Sequence, residues 1–323
     1  MALINTVADI KKHNSAISVG VEMENVQSFI DDAIESHIIP RIGRAQFDEL
    51  VAARTTLTGK QIPAFNFIQK SCVGFLLAYY AVSGAVTIDN TGIFVVKGTN
   101  KAPASDKKLM SLRKDSFLKG YGALEQAVDY LEASLADFPL YLASDQHRKN
   151  RALLINSSTE FQDAGVNIGG NGPLYQVLKA YQVDAENTYI NNILGDDLNE
   201  TLRAAILSGT TTEVQKKLLE KLRMPLACLT MMEAIPYLSI SIDSDGIYQL
   251  SDSVGGMAAN VETKSSASDN RVAIAMYSLQ TKAERQIETL RKWLKEHQAE
   301  FTDYTVPTAV ILNSDPTSNM YFL

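Results

Sequence analysis

The feature that most limits the possible folds of this sequence is an internal repeat, because a segment that occurs twice is expected to fold alike in both places. The tetrapeptide LINT begins at Leu3 and recurs as LINS, which begins at Leu154, an offset of 154 − 3 = 151 positions. The hexapeptide IIPRIG ends at Gly43 and corresponds to INNILG, which ends at Gly195, an offset of 195 − 43 = 152. The shared order and spacing of these segments predict a tandem duplication of one module.

The repeat also predicts where the modules begin and end. We expect a first helical module at residues 1–150, a second helical module at residues 151–307, and a C-terminal strand with an extended arm at residues 308–323. Apolar residues three or four positions apart, as at Val26 and Ile30, predict amphipathic helices. The predicted fold class is therefore mainly α, with one helical-bundle module present twice.

Each copy is also expected to contain a little β structure. An alternating segment that begins at Val86 is followed by Gly92 and a second β-forming segment, and SIDSDGIY repeats this pattern around Gly246. Glycine supplies the positive φ that tight hairpin turns need, so a small β-hairpin is predicted in each copy. The LINT and LINS segments are predicted to form an edge strand in each copy.

Composition excludes several classes of protein. The chain is 46% hydrophobic and 21% charged, and its acidic and basic residues are interspersed at a formal net charge of −7, which disfavours a dedicated nucleic-acid-binding face. The longest apolar run, Cys72–Val82, is about half the length that spans a bilayer and predicts a buried helix, so no membrane association is expected. No secretory signal is expected either. Cys72 and Cys228 lack CxxC spacing and are predicted to be buried small hydrophobes.

The polar motifs do not combine into a reactive site. The four histidines are scattered, without an HExxH motif. The segment DSDG at Asp243 resembles the start of a calcium loop, but the twelfth position is Val254 instead of the glutamate that such loops need. We therefore predict that the protein is not an enzyme and has no catalytic, cofactor-binding or metal-binding residues.

The C-terminal tail carries the residues that we expect to contact a partner. A β-forming segment is followed by a polar tether and an apolar tip, and such a tip either folds back on its own chain or docks on a partner. The sequence leaves both possibilities open. The predicted partner-contacting residues are Ile311, Leu312, Tyr321, Phe322 and Leu323.

One run of segments is similar to a known family. FIDDAIESHIIPRIG, FDELV, TGIFVV and KGYGALEQAVDYLEASLADFPLY, in this order, resemble an uncharacterised family of Bacteroidetes phage and prophage proteins related to head-tail connector (adaptor) proteins. The resemblance covers most of the first module and extends more faintly over the second. The second module departs from it at Asn191 and Asn192, which replace Ile39 and Pro40.

The resemblance implies a structural protein of the virion that forms a ring below the portal at the capsid vertex. Its implied partners are the portal protein, other neck and tail proteins, and further copies of itself, as a dodecamer by analogy. Genomic DNA would pass through the channel without specific binding. The protein would be assembled in the cytoplasm of the bacterial host and reside in the neck or tail of the virion.

Two alternatives are compatible with the same residues. One is another neck or tail component, such as a completion or terminator protein. The other is a non-viral helical module that binds a protein partner. The repeat alone separates these functions poorly, since all three need helices and contact surfaces and none needs a reactive centre.

Overall fold

The computed structural model describes residues 2–15, 17, 21–84, 86–89, 92–95, 105–169, 171–238, 240–243, 246–249 and 269–304. The chain forms two compact units. Unit 1 comprises Met1–Ala152 and Gly169–Tyr175, and unit 2 comprises Leu153–Ile168 and Gln176–Leu323. Helices predominate in the described residues of both units, which confirms the mainly α fold class.

Unit 1 begins with short helices, continues with two long helices and ends with two further short ones. Its helices are α1 (Val7–His13), α2 (Gln27–Ala33), α3 (Ile39–Ile42), α4 (Arg44–Ala52), α5 (Gln61–Ser83), α6 (Asp106–Glu132), α7 (Pro139–Leu142) and α8 (Asp145–Asn150). A π-helical turn, Ile34–Ile38, joins α2 to α3. A 3₁₀ turn, Leu135–Asp137, follows α6.

Helices of unit 2 follow the same order. They are α9 (Ser158–Asp163), α10 (Gly172–Ala185, whose first turn belongs to unit 1), α11 (Asn191–Leu194), α12 (Asp196–Ser208), α13 (Glu213–Leu238) and α14 (Asp269–Glu296). A π-helical turn, Glu186–Ile190, again precedes a short helix, and a 3₁₀ turn, Gln298–Glu300, again follows the last long helix. Gly43 and Gly195 occupy corresponding breaks with φ of 82° and 75°, a region that glycine adopts without steric cost.

Two short strand pairs lie between the long helices. Strand β1 (Val86–Asp89) pairs antiparallel with β2 (Gly92–Val95), and β3 (Ile240–Asp243) pairs antiparallel with β4 (Gly246–Gln249). In both pairs the last residue of the first strand lies opposite a glycine, as Asp89 does opposite Gly92.

The edge strand predicted at the start of each copy is wrong. In unit 1 the described residues before α1 form no strand, although Leu3 and Ile4 are 1% and 0% exposed. Arg54 Nη1 donates to the Leu3 carbonyl oxygen at 2.9 Å and Gln69 Nε2 donates to the same oxygen at 3.0 Å. Side chains of the helical body thus provide the hydrogen bonds that a neighbouring strand would have supplied.

The corresponding segment of unit 2 is held in the same way. Arg223 Nε donates to the Leu154 carbonyl oxygen at 2.9 Å, and Gln182 Nε2 donates to the Ile155 carbonyl oxygen at 3.0 Å. Leu154 and Ile155 are both 0% exposed. Both units therefore bury a short irregular segment as their first element. The strand predicted within residues 308–323 lies outside the described residues.

An N-terminal cap fixes where the first helix of each unit begins. Thr6 and Asp9 form a capping box at α1, and the Ser157 side chain accepts a hydrogen bond from the Glu160 amide at α9. The acidic residue of each cap also binds an arginine of the helical body. Asp9 Oδ1 lies 2.6 Å from Nη2 of Arg54, whose side chain also donates to the Leu3 carbonyl oxygen. Glu160 Oε1 lies 2.9 Å from Nη2 of Arg223 in α13. These bonds attach the first helix to the core.

The core of unit 1 is organised around α5 and α6, which run antiparallel. Phe67 lies near Tyr130 at one end of the pair and Tyr79 lies near Phe117 at the other. The two helices approach closely where glycines face each other, because a Cβ atom on Gly74 would lie only 2.6 Å from the backbone of Gly120. The predicted buried helix at Cys72–Val82 is thus part of α5, and Cys72 is 0% exposed.

Unit 2 has a similar pair, α13 and α14. The 3₁₀ turns that follow α6 and α14 begin 298 − 135 = 163 positions apart. At this offset, Ala283 of α14 corresponds to Gly120 of α6, and Ala283 is buried. Cys228 is buried in α13 and has a free thiol. Both cysteines are therefore buried and unpaired, as predicted. None of the helices in the described ranges combines the length and the hydrophobicity of a membrane span.

Candidate interaction surface

A group of aromatic side chains surrounds the π-helical turn of unit 1. His37, in this turn, stacks on Phe75 of α5 with ring centroids 4.1 Å apart and an interplanar angle of 19°. His37 Nε2 lies 2.7 Å from the Tyr79 hydroxyl, and Nδ1 lies 3.2 Å from the Tyr121 hydroxyl. Phe117 of α6 is edge-on to Tyr79. We name His37, Phe75, Tyr79, Phe117 and Tyr121 the aromatic cluster.

The chain geometry explains this convergence. A π-helical turn adds a residue to the helical circuit and redirects the side chains that follow. Phe75 and Tyr79 are four positions apart in α5, and Phe117 and Tyr121 are four positions apart in α6, so each pair lies on one helix face. The π-helical turn then places His37 between the two pairs.

The cluster is uncharged near neutral pH. Burial lowers the pKa of His37, and burial raises the pKa of Tyr79 and of Tyr121. A neutral imidazole has one donor and one acceptor nitrogen, so it can bond both tyrosine hydroxyls. Phe75 is buried, whereas the other four side chains are half-buried and reach the surface.

Charged side chains flank the aromatic cluster. After burial, the next influence on the pKa of Tyr79 is the Asp32 charge, which also raises it, whereas the Arg113 charge lowers it. The Arg113 guanidinium lies 5.6 Å from the Phe117 ring centroid. Asp32, Arg113 and Lys114 are exposed, and neither of the two cations forms an ion pair with a described carboxylate.

Unit 2 has different chemistry at the corresponding place. Tyr189 lies 189 − 37 = 152 positions after His37, in the second π-helical turn, and Glu233 lies 233 − 79 = 154 positions after Tyr79. The Tyr189 hydroxyl donates to Glu233 Oε1 at 2.9 Å. Burial, together with the hydrogen bond and the charge of Glu233, raises the pKa of Tyr189 to about 12.

The second long helix of unit 2 also lacks the aromatic residues. At the offset of 163, Gln280 corresponds to Phe117 and Glu284 corresponds to Tyr121, and Gln280 Nε2 donates to Glu284 Oε1 at 2.9 Å. A helical core forms in both units, although only unit 1 has the aromatic cluster. Unit 2 therefore forms a helical core without Tyr79, Phe117 and Tyr121 at the matching positions.

Large apolar side chains are exposed on the first half of each second long helix. In α6, Met110 is 53% exposed and Leu112 is 45% exposed. In α14, Ile274 is 61% exposed and Tyr277 is 72% exposed, within the uncharged stretch Val272–Thr281. Exposed apolar groups of this size, close together on a helix, are typical of interaction surfaces.

A buried polar network joins α6 to the end of unit 1. The Glu132 side chain is 5% exposed, and it accepts hydrogen bonds from the Tyr141 hydroxyl at 2.5 Å and from Arg151 Nε at 2.9 Å. His147 Nδ1 lies 3.0 Å from Glu132 Oε1. Asn150 Nδ2 donates to the Tyr141 hydroxyl at 2.9 Å. These contacts attach α7 and α8 to the helical body, which is a structural role.

The other histidines, which were predicted to lie outside reactive sites, contact side chains near them in the fold. His13 lies 3.1 Å from Gln69, and the His297 ring stacks on Trp293. Within the described ranges, no three or more His, Cys, Asp and Glu side chains form a group that could hold a metal ion.

The contact residues predicted from the sequence are not those of the aromatic cluster. The predicted partner-contacting residues, which are Ile311, Leu312, Tyr321, Phe322 and Leu323, lie outside the described residues. The aromatic cluster was not predicted, because aromatic residues four apart in a helix are usually core. Its one sequence signal is that unit 2 has Glu233, Gln280 and Glu284 at the positions that match Tyr79, Phe117 and Tyr121, although Tyr189 keeps an aromatic ring at the position of His37.

A comparison with known families reproduces the two-part organisation. The model of one family, described as a family of unknown function, matches residues 38–151 and again residues 190–311. No curated protein and no solved structure matched the chain.

Proposed function

The chain belongs to the family of unknown function DUF6712, and we propose that it is a head-tail connector (adaptor), a structural protein of a tailed-phage virion. In this proposal it forms a ring below the portal at the capsid vertex. Its partners are further copies of itself, the portal protein and other neck or tail proteins, and DNA passes through the ring without specific binding. The resemblance of the first module to phage connector-related proteins supports this role.

The observation that carries the proposal is the exposure of large apolar side chains on α14. Ile274 and Tyr277 lie three positions apart on a helix face that has no charged residue from Val272 to Thr281. Exposure of apolar side chains to water is unfavourable in free energy, and a partner that covers them makes the free energy more favourable. A protein made for assembly needs such surfaces.

The two matched regions support a further part of the proposal. We propose that they are tandem copies of one helical module, each with its own strand pair. A ring with head-to-tail contacts requires two different surfaces on every copy. A duplicated module whose copies have diverged provides two related surfaces with different chemistry. The tail residues, Ile311 to Leu323, would add a third contact to a neighbour in the virion neck.

Native mass spectrometry of the full chain tests the proposal, with the chain alone and mixed with the portal protein of the same genome. We expect a ring of defined copy number, formed either alone or on the portal. A chain that stays monomeric in both conditions contradicts the connector role. It would shift the assignment to another neck or tail component, or to a host protein-binding module.

A matched pair of variants links the assembly to α14. Ile274→Asp with Tyr277→Asp should abolish ring formation and leave the helical circular dichroism spectrum unchanged, because both side chains are exposed. Ile62→Asp in α5, which replaces a side chain that is 46% exposed, is the control and should still assemble. Normal assembly of the α14 variant would show that this surface is not a contact.

A further inference from the structure

The face of unit 1 that contains the aromatic cluster extends along one stripe of α6. The residues of this stripe follow the spacing i, i+3, i+4, i+7 and i+11, so they lie on the same side of the helix. They are Met110, Arg113, Lys114, Phe117 and Tyr121. This side is the one that meets His37 and Tyr79. The stripe contains two exposed cations and no carboxylate.

The corresponding stripe of α14 has the opposite character. At the offset of 163, its residues are Ala273, Met276, Tyr277, Gln280 and Glu284. No cation lies on this stripe, and it ends with an exposed carboxylate.

Two further carboxylates lie in unit 2 at positions that match the surroundings of the aromatic cluster in unit 1. Glu233 of α13 replaces the tyrosine of unit 1, and it accepts the Tyr189 hydroxyl hydrogen bond. Asp184 is exposed in α10, five positions before Tyr189. Unit 1 retains an aspartate, Asp32, at the position that corresponds to Asp184, so the contrast comes from the long helices.

We propose that the aromatic and basic face of unit 1 binds the acidic face of unit 2 in a second copy of this chain. Arg113 and Lys114 would meet the carboxylates Glu284 and Asp184, while the aromatic cluster would cover the exposed ring of Tyr277. This inference rests on the proposed function, because it names the contact by which the copies assemble.

Charge complementarity argues for a second copy as the occupant. The positive half and the negative half of the pair are present on one chain, at matching positions of two related units. A face of either kind alone would repel its own kind, whereas a head-to-tail contact between the two kinds brings opposite charges together. Such a contact is heterologous, and it closes into a ring when the rotation between copies divides a full turn.

The composition of the contact fits a protein interface. Tyr, Trp, Arg and Met are enriched in the cores of interfaces, and the two stripes contain Tyr121, Arg113 and Met110 on one side and Met276 and Tyr277 on the other. Charged groups at the rim steer association and choose the partner.

A charge-swap experiment tests the inference on the full chain. Variant one is R113E/K114E and variant two is D184K/E284K, all four side chains being exposed. We expect each variant alone to associate at least about tenfold more weakly than the wild type, since opposite charges become like charges. An equimolar mixture of the two variants should recover association, because the reversed unit 1 face of variant one can pair with the reversed unit 2 face of variant two, and the unchanged unit 1 face of variant two can pair with the unchanged unit 2 face of variant one.

Two controls complete the design. Lys217→Glu changes an exposed cation near the start of α13, outside both stripes, and should associate like the wild type. Raising the salt concentration from about 0.1 M to about 1 M should weaken wild-type association. Where the wild type forms a ring only on the portal, the same variants are measured by portal-bound mass.

The outcomes separate the inference from the proposed function. Variants that each associate as the wild type does would overturn the inference and leave the ring intact. Variants that are each defective but do not recover when mixed would also overturn it, because the defect would then have another origin. A wild type that never associates, alone or on the portal, would overturn the ring itself.

Discussion

A close approach of α5 and α6 makes unit 1 sensitive to a single methyl group at Gly74. A Cβ atom added there would lie 2.6 Å from Cα and N of Gly120 and 3.0 Å from the Ser116 carbonyl oxygen. All three are backbone atoms, so no side-chain rotation relieves the contact. Gly74→Ala therefore requires the two helices to separate.

The expected magnitude combines two opposing effects. Overpacking a close contact costs about 3 kcal/mol at the upper end of the usual range, which backbone clashes of this kind justify. Replacing a glycine inside a helix by alanine returns about 1 kcal/mol. The net loss for Gly74→Ala is thus about 2 kcal/mol in the free energy of unfolding, or a melting temperature lower by about 4 to 8 °C for a unit of this size.

Gly122→Ala is the matched control, because Gly122 lies in α6 two positions after Gly120 and a Cβ atom added there would meet no other atom within 4 Å. Here only the helix propensity changes, and we expect stabilisation of about 0.5 to 1 kcal/mol. Urea unfolding followed by circular dichroism measures both variants against the wild type. A Gly74→Ala protein as stable as the wild type would refute the close-packing argument, whatever the result for Gly122→Ala.

Three other predictions concern polar groups. Glu132→Ala should lower the free energy of unfolding by about 3 kcal/mol, because Arg151 and the buried His147 lose their acceptor, and urea unfolding measures this. Burial would raise the pKa of Asp9, but hydrogen bonds from an arginine and two backbone amides outweigh it and lower the pKa. This stability is present above the unfolded pKa of 3.8 and is lost as the pH falls through the lower folded value, so thermal unfolding of Asp9→Asn should change less between about pH 5 and about pH 2. Burial lowers the pKa of His37, so on acidification the unfolded chain binds a proton at this histidine before the folded chain does. The free energy of unfolding therefore falls as the pH drops below the unfolded pKa of 6.5. His37→Gln should show a smaller loss of melting temperature on acidification than the wild type.

The predictable part of the fold depended on local patterns. Apolar spacing at Val26 and Ile30 predicted helix, and the structure places both residues in the buried core, near or within α2. Gly43, the last residue of one repeated hexapeptide, has a φ of 82°, and it ends one helix and begins the next. Cys72 and Cys228 were expected to be buried, and both are. These features follow from neighbours along the chain, which the sequence contains directly.

The edge strand could not be recognised as wrong from the sequence. The segments at Leu3 and Leu154 are apolar and β-forming, but a strand needs a neighbouring strand to take its hydrogen bonds. Side chains donate these hydrogen bonds instead. The donors to the Leu3 carbonyl oxygen are Arg54 and Gln69, which are 51 and 66 positions away along the chain, and the donor to the Leu154 carbonyl oxygen is Arg223. Which donor reaches a carbonyl group is decided by packing.

Apolar periodicity and composition predicted the helical class and the burial of the cysteines, and the recurrence of short segments predicted two copies of one module. Which side chains share a surface depends on tertiary packing. His37, Tyr79 and Tyr121 meet because a π-helical turn and two antiparallel helices bring distant segments together. The contrast between this cluster and Glu233 with Glu284 was present in the sequence, but only side-chain positions show that the two sets occupy corresponding faces.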